Sequence, residues 1–291
     1  MSKPSFRGFL TTALLASFTV FAANTIGVGT VYAQSEAKPV TQVVIGDSVV
    51  GFEEQPRLLN LYQAAELRPS AYWPSSRLIS VAQTEKIAER RRYVLEKLRE
   101  VSLSARVEGD ESLARAAQAY MEQIPNWPLL GAEWVGVTKI DDSLEVQSGV
   151  NVERKSLFSS FTDAVANLQA NPLLPQGDMR LLPPQDLGAW QVTVVSPKGI
   201  QKLPFAQHET VREVLDKAGI LADHNGLAEV TLVSLTGLSR TTTVAYFNDA
   251  KAMPPVHGII FVGLDLSALD DDWQLVNAQL SALLSYWNPQ S

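Results

Sequence analysis

The segment 190–262 constrains the fold most, because its hydrophobic period changes several times within a short stretch. Apolar and polar residues alternate from Trp190 to Val194, and after a Pro-Lys-Gly turn Ile200–Leu203 supplies a second strand. Thr210–Glu213 then has the spacing of a capping box, which predicts the start of a helix. Gly219 is where this helix would end. The pattern predicts a strand hairpin followed by one short helix.

Three further strand patterns follow this helix, at Glu229–Leu235, Arg240–Phe247 and Ile259–Val262. Two strands, a helix and then more strands predict a small mixed sheet wrapped round a single helix. This is the β-grasp arrangement, an α+β fold. We assign residues 187–264 to this domain.

The N-terminal part of the chain begins in the same way. Gln42–Ile45 and Val49–Phe52 alternate on either side of a Gly-Asp turn, and a helix pattern follows at Pro56–Glu66. Met179–Leu182 then corresponds to the last strand of the other segment. An internal repeat explains this similarity, so we predict a second β-grasp-like domain over residues 34–186.

The N-terminal domain is longer because it contains two strongly periodic helices over about 83–126, the second opened by Asp110. Their predicted connection, Ser102–Gly109, is short and indicates an antiparallel helical hairpin. Beyond it, Leu144–Val152 alternates like a strand, whereas Leu157–Leu168 fits a helix. The apolar positions of the first periodic helix are Ile87, Val94, Leu95, Leu98 and Val101.

The C-terminal segment 273–291 carries no charged side chain, yet its apolar residues share one helical face. Asp270–Asp272 place negative charge at the start of this predicted helix, where the helix dipole favours it. We predict an amphipathic helix within 265–291 that packs on the protein's own domains; joining other chains or lying in a membrane surface are the alternatives. The apolar stripe comprises Trp273, Val276, Leu280, Leu283, Leu284 and Trp287.

Residues 1–33 have the pattern of a cleaved secretory signal. Two cations, Lys3 and Arg7, precede an apolar stretch, and Val31-Tyr32-Ala33 offers small residues to a signal peptidase. An uncleaved anchor helix is the alternative. The chain has no cysteine, which leaves no lipidation site, disulfide or thiolate. We expect a periplasmic protein that is cleaved near Ala33.

The charge balance narrows the class of partner. Removal of the two signal cations takes the formal net charge from −7 to −9, which argues against nucleic acid as a partner and against electrostatic adhesion to anionic lipid. Arg90, Arg91 and Arg92 form the densest positive charge in this acidic chain. Such a run is usually a solvated helix face, but it is also a candidate surface for an acidic glycan or an acidic partner protein.

The strand before Gly46-Asp47-Ser48 makes this segment similar to the nucleophile block of GDSL ester hydrolases, with Ser48 as the nucleophile. None of the three histidines has the aspartate three residues before it that this class of enzyme uses. A hairpin turn explains Gly46-Asp47 equally well. The histidine spacing matches no zinc signature and the chain has no phosphate-binding glycine loop, so we expect no enzyme activity, cofactor or metal.

The chain resembles the capsule-biosynthesis GfcC family over nearly its whole exported length. The resemblance is carried by Tyr72-Trp73-Pro74, Arg77-Leu78, the helical insertion, Asn171–Asp178 with Leu181-Leu182-Pro183-Pro184, and the segment 190–262 with its terminal helix. It implies two β-grasp domains similar to those of outer-membrane polysaccharide export proteins, a helical hairpin in the first domain and a C-terminal amphipathic helix.

The resemblance also implies a function. It predicts a non-enzymatic periplasmic accessory protein, expected to be a monomer, that supports capsule or exopolysaccharide assembly or export. Its partners would be the surface polysaccharide and outer-membrane or lipoprotein components of the machinery. Membrane contact through the C-terminal helix belongs to the alternative in which this helix does not pack on the protein. The alternatives are a periplasmic carbohydrate esterase that uses Ser48 and a channel-forming export subunit.

Overall fold

The computed structural model describes residues 39–135, 151–152, 154–223, 227–267, 269, 273 and 275–291. The strands are β1 (Thr41–Ile45), β2 (Ser48–Phe52), β3 (Arg77–Ser80), β4 (Trp134–Val135), β5 (Asn151–Val152), β6 (Arg154–Lys155), β7 (Gly177–Leu182), β8 (Gln191–Ser196), β9 (Gly199–Pro204), β10 (Glu229–Val233), β11 (Leu238–Thr243) and β12 (Ile259–Phe261). The helices are α1 (Leu58–Ala64), α2 (Val81–Val107), α3 (Glu111–Gln123), α4 (Phe161–Ala166), α5 (Val211–Lys217), α6 (Ile220–Asp223) and α7 (Leu275–Leu284). The predicted α+β class is confirmed. The predicted signal and Asp270–Asp272 lie outside the described residues.

The first sheet has the strand order β2-β1-β7-β3. β1 and β2 form a hairpin around Gly46 and Asp47, where Gly46 adopts the left-handed φ of 59° that the turn requires. β7 runs parallel to β1 and antiparallel to β3. Helix α1 buries Leu58 and Leu61 in the same apolar cluster as Val43 of β1, and this cluster is the core of the N-terminal half.

The second sheet has the order β5-β11-β10-β12-β8-β9. β8 and β9 form the predicted hairpin, and β12 lies parallel to β8 and antiparallel to β10. The predicted capping box opens α5: Thr210 Oγ1 accepts a hydrogen bond from Glu213 N, and the Glu213 carboxylate accepts one from Thr210 N. Val214 and Leu215 of α5 then pack against Val194 and Ile260 of the sheet.

The two sheets share the start and the end of their connectivity, although the second has β10 and β11 where the first has only β3. Each begins with a hairpin, continues with a helix, and ends with a strand that is parallel to the first strand of its hairpin. The pairing of β5 with β11 adds residues of the predicted N-terminal domain, 34–186, to the second sheet. The described part of the predicted strand Leu144–Val152 is therefore the short strand β5, and α4 covers part of the predicted helix Leu157–Leu168.

Helices α2 and α3 lie between β3 and β7 in the sequence, but they pack on the second sheet. Their apolar faces share one cluster with Val195, Val233 and Phe261.

The predicted connection Ser102–Gly109 is wrong, because α2 continues to Val107. Ser102 is small enough to lie buried beside α3, where its hydroxyl donates to the Ala114 carbonyl at 3.3 Å.

The start of α3 is as predicted. The Asp110 carboxylate accepts hydrogen bonds from the backbone of Ser112 at 3.1 Å and of Leu113 at 2.9 Å. On the buried face of the helix, the Tyr120 hydroxyl donates to the Val262 carbonyl, which follows β12. The helix is thereby joined to the second sheet by a hydrogen bond as well as by apolar packing.

Helix α7 packs against α2 and β10 in the same core, and every residue of α7 is at least half-buried. Its lack of charge follows from this, because a helix that is covered all round has no solvated face on which to carry charged side chains. The chain after α7 pairs with the segment after α3: Leu130 N donates to Tyr286 O at 2.8 Å, and Asn288 N donates to Pro128 O at 2.7 Å.

Candidate functional site

A cleft of about 910 Å³ lies between the segment that follows α1 and the segment that leads into β8. This volume is within the range of roughly 300–1,000 Å³ that is typical of small-molecule sites. The turn before β12 completes the lining. The lining residues are Glu66, Leu67, Arg68, Ser70, Ala71, Tyr72, Pro184, Asp186, Leu187, Gly188, Trp190, Val256 and His257.

The two main walls of this cleft are tied together by buried Ser75. Its hydroxyl lies 2.8 Å from the Tyr72 carbonyl and accepts a hydrogen bond of 2.8 Å from Gln185 N. The Arg77 guanidinium holds the same turn, because it donates to the carbonyls of Pro74 at 2.8 Å and Ser76 at 2.7 Å. Tyr72 precedes a single turn of 3-10 helix, Trp73–Ser75, and these side chains tie that turn to the segment before β8.

Aromatic rings from three separate segments border the cleft. Tyr72 is 38% exposed, and the edge of its ring contacts the ring of His257 with a centroid distance of 6.1 Å. Trp190 is 37% exposed and packs on Phe205 with centroids 5.9 Å apart. Each ring is thus held by a neighbouring ring while part of its surface stays open to solvent.

His257 is held in an unusual conformation. Its φ of 55° lies in the left-handed region, and its backbone N–H donates to Gln191 O at 2.7 Å. Its Nδ1 atom is buried and has no hydrogen-bond partner among the described residues. Burial, and then the positive charge of Lys202, lower the pKa of His257, while Asp186 opposes the shift. The imidazole is therefore neutral at pH 7.

The charged groups of the cleft are Glu66, Arg68 and Asp186. Glu66 adopts a left-handed φ of 50°, and the Asp186 carboxylate accepts a hydrogen bond from Gly188 N at 2.9 Å. Among the described residues, no group of three or more histidine and acidic side chains could hold a metal ion. The arrangement offers aromatic surfaces and hydrogen-bonding groups to a ligand.

A buried polar junction lies behind the turn that carries Tyr72. Guanidinium groups of Arg77 and Arg154 both donate to the Leu235 carbonyl, and Arg154 also pairs with Glu133 and donates to Ser285 O at 2.8 Å. Burial, and then the charge of Arg154, lower the pKa of Arg77 to about 9, which leaves it protonated at neutral pH. The junction joins β3, β6, the turn after β10 and the end of α7.

The structure separates the three predicted surface arginines. Arg91 donates to the carbonyls of Pro125 at 3.2 Å and Trp127 at 3.0 Å, and Arg90 lies over the ring of Tyr286 at 6.0 Å. Arg92 is exposed. Two of these side chains therefore contact the protein itself, and a role for the run in binding an acidic partner stays a prediction.

The predicted apolar stripe of the C-terminal helix lies in the core. Trp273 and Trp287 are partly buried against that core, and Lys97 lies 5.7 Å from the centre of the Trp273 ring. None of the described helices is long and apolar enough to cross a membrane. Contact of the stripe with another molecule stays a prediction, and it would require α7 to leave its place. Val276, Leu280, Leu283 and Leu284 are buried.

Ser48 occupies the exposed end of the β1–β2 hairpin, where it pairs with Ile45 across the turn. No hydrogen bond joins Ser48 to a histidine in the part of the chain that the structure describes. The turn interpretation of Gly46-Asp47 accounts for this segment.

The cleft itself was not predicted from the sequence. Tyr72, Pro184 and Arg77 belong to the motifs that carry the family resemblance, and the structure brings these motifs together at the cleft and at the junction behind it. Trp190 was interpreted only as the start of a strand, and the histidines only as lacking the spacing of a zinc signature. For Tyr72 and Pro184 the signal in the sequence was a motif that lies outside any periodic segment. For Trp190 and His257 the local sequence contains no such signal.

Comparison with known proteins identifies the family. The model of the N-terminal domain of capsule biosynthesis GfcC matches residues 37–152, and the model of the GfcC C-terminal domain matches residues 199–288. A search of curated proteins gave no match. The two matched segments cover most of the sequence and include Tyr72 and His257 of the cleft. The chain therefore belongs to the capsule biosynthesis GfcC family.

Proposed function

We propose that this protein is a non-enzymatic periplasmic accessory protein that supports assembly or export of a capsule or exopolysaccharide. The observation that carries this proposal is the match of both halves of the chain to the two GfcC domains, which implies a role in capsule biosynthesis. The predicted signal at residues 1–33 supports export to the periplasm. The expected partners are the polysaccharide and outer-membrane or lipoprotein components of its machinery.

The proposed architecture is two β-grasp-like domains with a helical hairpin inserted in the first. The shared connectivity of the two sheets supports this interpretation, because in each a hairpin and a helix precede a final strand parallel to the first. The order β9-β8-β12-β10-β11 within the second sheet, with α5 packed on that sheet, supports a mixed sheet wrapped round one helix. The position of α2 and α3 between β3 and β7 supports the inserted hairpin.

The test is deletion of the gene in its own bacterium, with measurement of cell-attached and released polysaccharide. We expect loss of surface polysaccharide, restoration by the full chain, and no restoration by a chain that lacks residues 2–33. Fractionation of the complemented cells should find the protein in the periplasm. Normal polysaccharide in the deletion strain would refute the proposed function.

The same strain tests whether the protein is an enzyme. Ser48→Ala should restore the polysaccharide as well as the unchanged chain does, because Ser48 lies at a hairpin end. Failure of this variant, if it is folded and exported normally, would favour the esterase interpretation instead. The purified protein should also leave an acetylated chromogenic ester intact.

A further inference from the structure

The aromatic cleft has the chemistry of a carbohydrate site. A pyranose ring carries C–H groups on its faces and hydroxyl groups around its rim, so it can stack on a flat aromatic ring and still form hydrogen bonds at its edge. Stacking removes apolar surface of both rings from water. Tyr72 and Trp190 supply two such rings, each more than a third exposed.

These rings are held in place before any ligand arrives. Trp190 is supported by Phe205, and Tyr72 by His257 and by the turn that Ser75 fixes. Fixed side chains lose little conformational freedom on binding, which favours affinity for a weakly interacting ligand. The left-handed backbone of His257 is a strained feature of the kind that concentrates at ligand sites.

Polar groups surround the rings. His257 lines the cleft with a partly exposed imidazole ring. Glu66, Arg68 and Asp186 add acceptors and donors at the same cleft. This mixture of a few polar groups with aromatic surface is typical of sites that orient a neutral, hydroxyl-rich ligand.

The charge of the cleft selects among polysaccharides. Its lining holds two carboxylates and one guanidinium, in a chain whose formal net charge is −7. Lys202, whose charge acts on His257, balances the second carboxylate, so the cleft offers a polyanionic glycan no net attraction, whereas an uncharged sugar ring needs none. The volume of about 910 Å³ accommodates more than one sugar unit.

We propose that this cleft binds a short segment of the surface polysaccharide through uncharged sugar rings stacked on Tyr72 and Trp190. The identity of the glycan as a surface polysaccharide rests on the proposed function. The cleft would then be the place where the accessory protein contacts the polymer directly.

Isothermal titration calorimetry on the exported chain tests the proposal. The probe is a set of oligosaccharides released by mild acid from the purified surface polysaccharide of the same bacterium. We expect Tyr72→Ala and Trp190→Leu each to weaken binding about tenfold, the equivalent of one lost aromatic stacking contact. Trp190→Leu keeps apolar packing against Phe205 but removes the flat ring. The matched control is Tyr246→Ala, which removes a ring that is 86% exposed and does not line the cleft. This variant should bind the oligosaccharides as tightly as the unchanged protein.

The outcomes separate this inference from the proposed function. Absence of binding by the unchanged protein, or equal binding by the cleft variants, would overturn the glycan site even if the deletion strain loses its polysaccharide. Normal polysaccharide in the deletion strain would instead refute the proposed function, whatever the calorimetry shows. Weakened binding by both cleft variants, with melting temperatures close to that of the unchanged protein, would support the site.

Discussion

Replacement of Leu280 by alanine tests whether α7 is a permanent part of the core. Leu280 is completely buried in the cluster formed by α2, α3, α7 and the second sheet. Removing three buried carbon atoms loses about 2.4 kcal/mol of transfer free energy at about 0.8 kcal/mol each. The cavity that remains raises the loss in the free energy of unfolding to about 3–4 kcal/mol.

Urea denaturation and calorimetry measure this loss. For a chain of this size, 1 kcal/mol corresponds to about 2–4 °C, so the melting temperature should fall by roughly 6–16 °C. The matched control is Leu103→Ala on α2, whose side chain is 56% exposed. This variant should change the free energy of unfolding by less than about 0.5 kcal/mol.

Equal stability of the two variants would refute the reasoning. It would mean that α7 contributes no free energy to the folded chain and that its apolar face is covered in some other way. Truncation before Asp270 extends the test: the shortened chain should melt at a lower temperature than the full chain. Unchanged melting together with loss of membrane association would show that the helix faces outward.

Three further predictions concern other parts of the fold. Gly237→Ala should lower the free energy of unfolding, measured in urea, by more than about 2 kcal/mol, because Gly237 has a φ of 88° and a Cβ there would lie 2.3 Å from the Arg154 carbonyl oxygen. The control is Gly46→Ala, which has open space around it and should lose only about 1 kcal/mol. Tyr120→Phe should lose about 1–3 kcal/mol by the same measurement, because a buried carbonyl loses its donor. The pKa of His257 is lowered in the folded state, so the unfolded chain binds more protons and stability should fall as the pH decreases below about 6.5. The urea midpoint of His257→Gln should therefore depend less on pH in this range than the midpoint of the unchanged protein. Equal pH dependence of the two midpoints would contradict the assignment.

The local structure was predictable where one short segment determines it. The capping box at Thr210 and the N-cap Asp110 act within four residues, and the hairpin turn at Gly46 needs only a residue that tolerates a positive φ. The hydrophobic period also identified the apolar faces of α2 and α3. These features depend on neighbours in the sequence, and the sequence shows those neighbours directly.

The cleft and the junction could not be predicted, because they depend on contacts between distant segments. Ser75 meets Gln185 across 110 positions, and Arg77 reaches Leu235 across 158. The period of α2 shows that one face is apolar but not which sheet covers it. The partner of an arginine is equally invisible in sequence, since a buried guanidinium and a solvated one have the same local pattern.

The environment of α7 explains why a segment without charge belongs to an otherwise acidic chain. The helix has no fully exposed position, and its C-terminal end is held by the guanidinium of Arg154, which donates to Ser285 O at 2.8 Å. A cation at this end is favoured by the helix dipole. Release of the helix would expose Leu280 and Leu283 and would remove a hydrogen-bond acceptor from the buried pair of Arg154 and Glu133. A channel-forming role would have to offset all of these losses, whereas a role as the fixed third element of the α2–α3 core requires none of them.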